Sequence, residues 1–327
     1  MIRSRILSAG GYLPADVVSN DELARRFGLD TTDAWIRERS GIRQRHLAAP
    51  GETASSMGAA AARQALERAG VDVGEIDAVI VATATPDSSF PATAVRIQAQ
   101  LGVTRGFAFD VLAACTGFVY ALSVADAMLR AGSARCALVI GTETYSRILD
   151  WTDRGSCVLF GDGAGAVVLR AEEVEPGGGA AQRGIISTHL HADGRYADIL
   201  HVEGGPGSTG GTGLLRMAGR EVFKHAVTKL AGVVDEALAA NGLARADIDW
   251  LVPHQANIRI IEAMGKKLGL EPARVVVTVD RHANTSAASI PLALADAAGD
   301  GRFKPGDLVL MEAIGGGLTW GAALARW

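Results

Sequence analysis

At 327 residues the chain is long for one hydrophobic core, and two domains or a doubled core are expected. Its 48% hydrophobic and 5% aromatic content implies a core of Ala, Val, Leu and Ile, the usual filling of layered α/β proteins. A net charge of −4 argues against a general nucleic-acid binder, and no apolar run approaches the ~20 residues that span a bilayer. Residues 1–7 run into a glycine pair without the apolar stretch of a signal peptide. The cysteines, Cys115, Cys136 and Cys157, are odd in number in a large chain, which suits reduced thiols better than a disulfide framework. The expectation is a soluble cytoplasmic protein.

In chain order, residues 65–70 (Ala-Leu-Glu-Arg-Ala-Gly) end an amphipathic helix at a glycine, and a short loop leads to an almost wholly apolar strand ending at 81. Residues 107–111 are a second strand, which leads through Cys115 into a helix containing 125–127. A strand at 137–141 and a glycine-rich turn with a final strand over 161–169 follow. The pattern then recurs: Ala65 reappears as Ala237 and Asp77 as Asp249, each 172 residues on. In the second copy, 249–253 is the apolar strand, and 275–280 leads through Asn284 into a helix containing 295–297. A strand at 308–312, a glycine turn at 315–317 and a last strand through 322–324 complete it. Strands apolar on both faces belong at the centre of a sheet covered by helices on each side. The chain therefore reads as two related α/β halves, 1–172 and 173–327, packed about a pseudo-twofold axis with a site near that axis.

Cys115 opens its helix among small neighbours, where a helix N-terminus favours the thiolate and lowers the thiol pKa. A buried, inert thiol is the other fate of a free cysteine, and the one expected of Cys136 and Cys157. The Gly-Asp-Gly-Ala-Gly run at 161–165 precedes a strand instead of opening a helix, so it is not a dinucleotide fingerprint. His189 and His191 share one strand face, but no third imidazole or thiol sits at zinc-like spacing, and no metal is expected. The glycine-rich stretch 204–213 lacks the Lys-Ser/Thr of a phosphate loop and reads as a mobile surface loop or lid. His254 is presented at the C-terminal end of a buried strand, where open α/β sheets place ligands. Gln255 and Asn257 after it are polar groups that a plain core avoids. Asn284 occupies the turn that corresponds to that of Cys115. A cysteine with a downstream His and Asn can form an acyl-thioester and then offer two neutral donors to a developing oxyanion. The same residue order describes papain-like hydrolases, but the mid-chain position of Cys115 and the missing Cys-Gly-Ser-Cys-Trp type signature argue against them.

Residues 113–117 (Ala-Ala-Cys-Thr-Gly), 253–257 (Pro-His-Gln-Ala-Asn) and 282–286 (His-Ala-Asn-Thr-Ser) resemble, in order and wording, the β-ketoacyl-acyl-carrier-protein synthase III family. The resemblance runs from 8–14 to 315–321. It implies the thiolase fold, two duplicated α/β halves in an α-β-α-β-α layering. It also implies condensation of an acyl-CoA primer, acetyl-CoA in the first instance, with malonyl-acyl carrier protein through an acyl-enzyme at Cys115, initiating fatty acid synthesis. Coenzyme A then enters as a thioester substrate, and no permanently bound cofactor is needed. By the same resemblance, the backbone N–H groups of Cys115 and Gly316 form the oxyanion hole. Trp35 and Arg154 sandwich the adenine, Arg39 meets phosphate, and Gly219 and Asn257 also touch coenzyme A. Phe90 closes the acyl pocket of a partner subunit, implying a homodimer, and Ile314 walls the pocket. Gln255, Ala256, Asn257, Ile258 and Arg259, with Lys266 and Lys267, dock the acidic carrier protein. Arg220 stands where the family often has Asn, Ile314 where Phe is common, and the chain is longer than typical over 172–182 and 204–213. The alternative within the fold is an acyltransferase that delivers an acyl group to a hydroxyl or amine without decarboxylation. Such relatives usually lose the His or Asn that this chain keeps.

Overall fold

The computed structural model describes residues 1–175 and 182–327, so most of the longer stretch at 172–182 lies outside the described residues. The chain opens with β1 (Ile2–Tyr12), β2 (Asp16–Ser19), α1 (Asn20–Phe27), α2 (Asp33–Ser40) and β3 (Gln44–Leu47). It continues through α3 (Ala54–Ala69), β4 (Ala78–Ala82), α4 (Thr93–Leu101), β5 (Phe107–Val111), α5 (Gly117–Arg130), β6 (Cys136–Glu143) and β7 (Gly163–Glu173). Then come β8 (Gly184–Ala192), β9 (Leu200–Gly205), β10 (Gly211–Met217), α6 (Gly219–Ala240), β11 (Trp250–Pro253) and α7 (Ile258–Leu268). The last elements are α8 (Val279–His282), α9 (Ser289–Gly299), β12 (Leu308–Gly315) and β13 (Thr319–Arg326).

Among the described residues, one sheet has the order β1-β7-β6-β4-β5 and the other β8-β13-β12-β11. Four strands correspond in order, β1-β7-β6-β4 to β8-β13-β12-β11, and β5 has no counterpart strand in the second sheet. β4 is buried at every position and runs parallel to both β5 and β6, the place expected of a strand apolar on both faces. Apolar side chains of α5 and α9 fill the space between the sheets, α3 and α4 cover the outer face of the first, and α6 and α7 that of the second. The result is the α-β-α-β-α layering.

The expected strand at 275–280 does not form. Val275 makes only an isolated parallel bridge to Leu251, and the chain turns into α8. The reason lies in Gln255, whose amide takes the backbone groups that a ladder would have used. Its Oε1 accepts from the N–H groups of Thr278 (2.7 Å) and Val279 (3.1 Å), and its Nε2 donates to Val276 O (3.0 Å). The glycine-rich stretch 204–213 also departs from expectation, because both ends belong to the antiparallel pair β9 and β10, and a tight turn joins them.

Close approach of backbone fixes the layers. A Cβ on Gly165 of β7 would meet Leu292 N of α9 at 2.5 Å and Pro291 C at 2.6 Å, whereas one on Gly232, on the exposed side of α6, would meet nothing within 4 Å. Gly165→Ala should therefore lower stability by about 1–3 kcal/mol through forced separation of helix and sheet. Gly232→Ala should raise it by about 0.5–1 kcal/mol through helix entropy. Denaturant unfolding of both variants reads the opposite signs, and equal effects would refute this account of the packing.

Candidate active site

A cavity of about 630 Å³ opens at the junction of the two halves and is lined by Cys115, His254 and Asn284. Trp35, Arg39, Gly219, Ala256, Asn257, Arg259 and Ile314 line it too. Arg154, Gln255, Ile258, Gly316, Lys266 and Lys267 are outside its lining, and Phe90 stands on the surface, 85% exposed.

Cys115 sits in a tight turn, Ala114–Thr116, between β5 and α5, and the turn holds Ala114 at φ +44°. β12 ends against this turn: a Cβ on Gly315 would meet Cys115 N at 2.7 Å, so only glycine allows the approach. The thiol is buried, and burial first, with the charge of Glu143 second to it among the raising causes, pushes it up to about 12. Hydrogen bonding from Ser286 and Tyr145 pulls the other way. The lowered pKa expected from a helix N-terminus is thus reversed, because desolvation outweighs the few oriented N–H groups of one turn.

His254 follows β11, held by its backbone N–H donating to Glu312 O at 2.8 Å. Burial pushes its ring down to about 3, so the imidazole is neutral across the working range of pH. Nδ1 lies 2.6 Å from Ser289 Oγ, and Gln255 N–H points at the same oxygen from 3.4 Å. An oxygen already accepting from an amide has its own proton to give to Nδ1, which leaves Nε2 carrying hydrogen toward the cavity. Asn284 is fixed by the same logic: its Oδ1 accepts from Ser286 N–H at 2.8 Å, which leaves the amide nitrogen free to donate. Two neutral donors therefore share the cavity with the thiol.

At the mouth, the guanidinium carbons of Arg39 and Arg154 lie 4.5 and 5.2 Å from the centre of the Trp35 ring. Arg154 also bonds the Asp30 carbonyl oxygen. Arg154 lying on Trp35 leaves no room for a purine between them, so the expected sandwich needs Arg154 to swing aside. Arg220, the departure from the family pattern, lines the same cavity and adds a cation beside Arg39 and Arg259. Gln255 is a correction. It is fully buried, and its amide is spent on Pro253, Val276, Thr278 and Val279, so it holds the 275–280 backbone and has no surface to offer a carrier protein. Asn257 caps α7, accepting from Arg259 N–H at 2.9 Å and donating to Arg39 O at 2.9 Å. His189 and His191 both meet Glu236 of α6, at 3.0 and 2.6 Å, away from the cavity.

Sequence reading missed Ser289, Tyr145, Glu143 and Ser286, all of which bear on the reacting groups. Ser286 had a signal: it stands 172 residues after Ala114 and repeats its left-handed backbone, φ +49° against +44°.

Residues 109–194 match the family described as 3-oxoacyl-[acyl-carrier-protein (ACP)] synthase III, and residues 238–327 match its C-terminal part. The chain is 67% identical to the β-ketoacyl-[acyl-carrier-protein] synthase III of Acidiphilium cryptum, with 100% of both chains covered. It is 64% identical to that of Rhodospirillum centenum, over 100% of this chain and 99% of that protein. Among solved structures, the 3-oxoacyl-[acyl-carrier-protein] synthase III of Aquifex aeolicus VF5 superimposes with a TM-score of 0.92 at 44% identity, covering 99% of this chain and 100% of that one. The layering is that of the thiolase fold.

One neighbour of the site gives a pH-dependent expectation. Glu312 of β12 is fully buried, neither carboxyl oxygen has a hydrogen-bond partner among the described residues, and burial pushes it up to about 8. The folded protein then keeps a proton that the unfolded chain loses near 4.5, so this group's contribution to stability falls as pH rises toward about 8. His254 acts with the opposite sign, but only below 6.5. Glu312→Gln should thus gain on the wild type as pH rises from 6.5 to about 8, by on the order of 1–2 kcal/mol, in calorimetric melts. Parallel stability profiles would mean that the carboxyl is ionised in the folded protein.

Proposed function

The chain belongs to the 3-oxoacyl-[acyl-carrier-protein] synthase III family, and on that premise we propose that it condenses an acyl-CoA primer, acetyl-CoA in the first instance, with malonyl-acyl carrier protein. The products are 3-ketoacyl-acyl carrier protein, coenzyme A and CO₂, and the reaction initiates fatty acid synthesis. The observation that carries this reading is a single buried cavity in which one thiol faces two neutral hydrogen-bond donors.

In the first half-reaction the Cys115 sulfur attacks the primer thioester. The backbone N–H groups of Cys115 and Gly316 hold the oxyanion, and coenzyme A departs past Trp35, Arg39 and Gly219. Arg154 completes the adenine contact once it leaves the Trp35 face. In the second, the malonyl carboxylate leaves as CO₂ and the electron pair spreads onto the thioester oxygen. No base is needed at the α-carbon. The requirement is two donors at that oxygen, which His254 Nε2–H and Asn284 Nδ2–H supply from buried positions, where such bonds are strongest. The resulting carbanion attacks the acyl-Cys115 carbonyl and expels the sulfur. Retention of both donors favours decarboxylating condensation over simple acyl transfer to a hydroxyl or amine.

Arg259, Lys266 and Lys267 are exposed on α7, Arg259 in the cavity lining, and these cations on a net-acidic chain suit an acidic carrier protein. Phe90 is 85% exposed and Leu112 75%, large apolar side chains whose exposure supports a homodimer in which Phe90 reaches the partner's pocket. Among the described residues no helix is long and apolar enough to cross a membrane, in keeping with a cytoplasmic site of action.

Exposure to acetyl-CoA should add one acetyl mass to the wild type and none to Cys115→Ser, by intact-protein mass spectrometry; label that persists in the variant removes Cys115 from the mechanism. His254→Ala and Asn284→Ala should each slow CO₂ release from malonyl-acyl carrier protein by about 10²–10³-fold while Cys115 still becomes acylated. Variants that decarboxylate normally but fail to acylate would instead make the pair a base and its orienter, as in a hydrolase.

A further inference from the structure

A second cavity, of about 160 Å³, shares no lining residue with the one that holds Cys115, and no step of the condensation uses it. Its walls come from β1, α3, α8 and α9. At about 30 Å³ for each water-sized group, it takes a ligand of roughly five heavy atoms. Gly11 in the wall leaves that room: a Cβ there would meet Leu292 Cδ2 at 3.0 Å and Ala295 Cβ at 3.5 Å.

The side chain that singles this cavity out is His282, which lines it and is only 6% exposed. Its Nδ1 is buried without a hydrogen-bond partner among the described residues. A buried polar atom left unpaired costs stability and calls for a reason. A proton on Nδ1 would be a donor with no acceptor, so the ring carries it on Nε2 and offers that N–H to whatever enters. Burial first, then Arg281, push the imidazole down to about 4 against the pull of Asp296, so the ring adds no charge of its own. His46, whose ring meets it edge-on at 6.4 Å, pushes the same way. The backbone gives an independent sign. Ala283 stands at φ +57°, ψ −162°, a region kept essentially for glycine. This one strained residue separates His282, in the second cavity, from Asn284, in the first.

The rest of the polar lining is rich in donors. Gln64 Oε1 accepts from Gly11 N–H at 2.8 Å, which fixes the amide and leaves its Nε2 hydrogens to donate. Arg68 donates through one terminal nitrogen to Ala9 O at 2.8 Å and Ala295 O at 3.3 Å, which pins the guanidinium between β1 and α9. Among the described residues its other N–H groups meet no acceptor. Asp296 is the one acid in the lining, and Arg281 pairs with it, so the charge left over is that of Arg68. We propose that this cavity binds a small oxyanion, phosphate or a short carboxylate, through Arg68, Gln64 Nε2 and His282. Two or more oxygens on one anion can meet several N–H donors at once, and a guanidinium takes such a pair two-pronged. Arg68 disfavours a cation here, and an apolar guest would leave Gln64 and His282 unmet.

The test is an NMR titration of the full chain, labelled in its histidine rings, with inorganic phosphate and with acetate at neutral pH. The His282 resonance, assigned by its loss in His282→Gln, should move saturably with either anion, and the tighter of the two identifies the source. Acetamide, the uncharged analogue of acetate, should leave it still at the same concentration. Gln64→Glu keeps the acceptor for Gly11 N–H but puts a negative charge where the donor stood, and should weaken binding about tenfold or more. Arg68→Gln should weaken it to a similar degree, whereas Arg39→Ala, at the mouth of the first cavity, should leave the titration unchanged. A His282 resonance that ignores both anions, or answers acetamide as strongly, overturns the proposal. So does a Gln64→Glu chain that binds like the wild type, or loss of the response in Arg39→Ala, which would put the anion at the mouth. Should a variant fail to fold, acetate against acetamide in the wild type decides alone.

Discussion

Desolvation at the seam between the two halves sets the state of every reacting group. Cys115, His254, Glu143 and Glu312 are each 5% exposed or less, and burial is the largest cause of the shift at all four. The direction differs with the charge that burial penalises: acids are driven up and the imidazole down. The same absence of water therefore makes the thiol reluctant to ionise and keeps His254 a neutral donor. Much of the remaining architecture supplies compensation, through Ser289 on one ring nitrogen, Ser286 N–H on the Asn284 oxygen, and hydroxyls around Glu143.

Gene duplication explains how such a seam arises. One strand-turn-helix unit occurs twice, with the left-handed residue of the turn kept at Ala114 and Ser286. In one copy the turn presents the Cys115 thiol. In the other, Ser286 donates its hydroxyl to Tyr145 OH and its N–H to Asn284 Oδ1, which fixes that amide. Pseudo-twofold packing brings two local solutions, distant in sequence, to one point. Gly141, Gly165 and Gly315 let the backbones approach closely enough for that to happen.

The mouth obeys different physics. Trp35, Arg39, Arg220 and Arg259 line the outer part of the cavity, where water remains, and an aromatic ring among three cations is a lining that suits an anionic nucleotide. Arg154 lies over the Trp35 ring, its guanidinium carbon 5.2 Å from the ring centre. The cations at the mouth are thus exposed, whereas His254 and Asn284 are locked by internal hydrogen bonds.

The sequence by itself determined the duplicated α/β frame, because a constant offset and strands apolar on both faces leave few other arrangements. It also pointed to Cys115, His254 and Asn284 as one cluster, since their segments stand at matching or adjacent strand ends. Only the tertiary structure decided what these residues are chemically. Burial is a property of the whole packing, so the high pKa of Cys115 could not be read from its turn. Gln255 looked like a functional polar residue until its four internal bonds were visible, and the strand it replaces at 275–280 looked regular in pattern. Glu143 and Tyr145 gave no sign at all, because the partner of Tyr145 lies 141 residues away and that of Glu143 58, and only the fold brings them together beside the thiol.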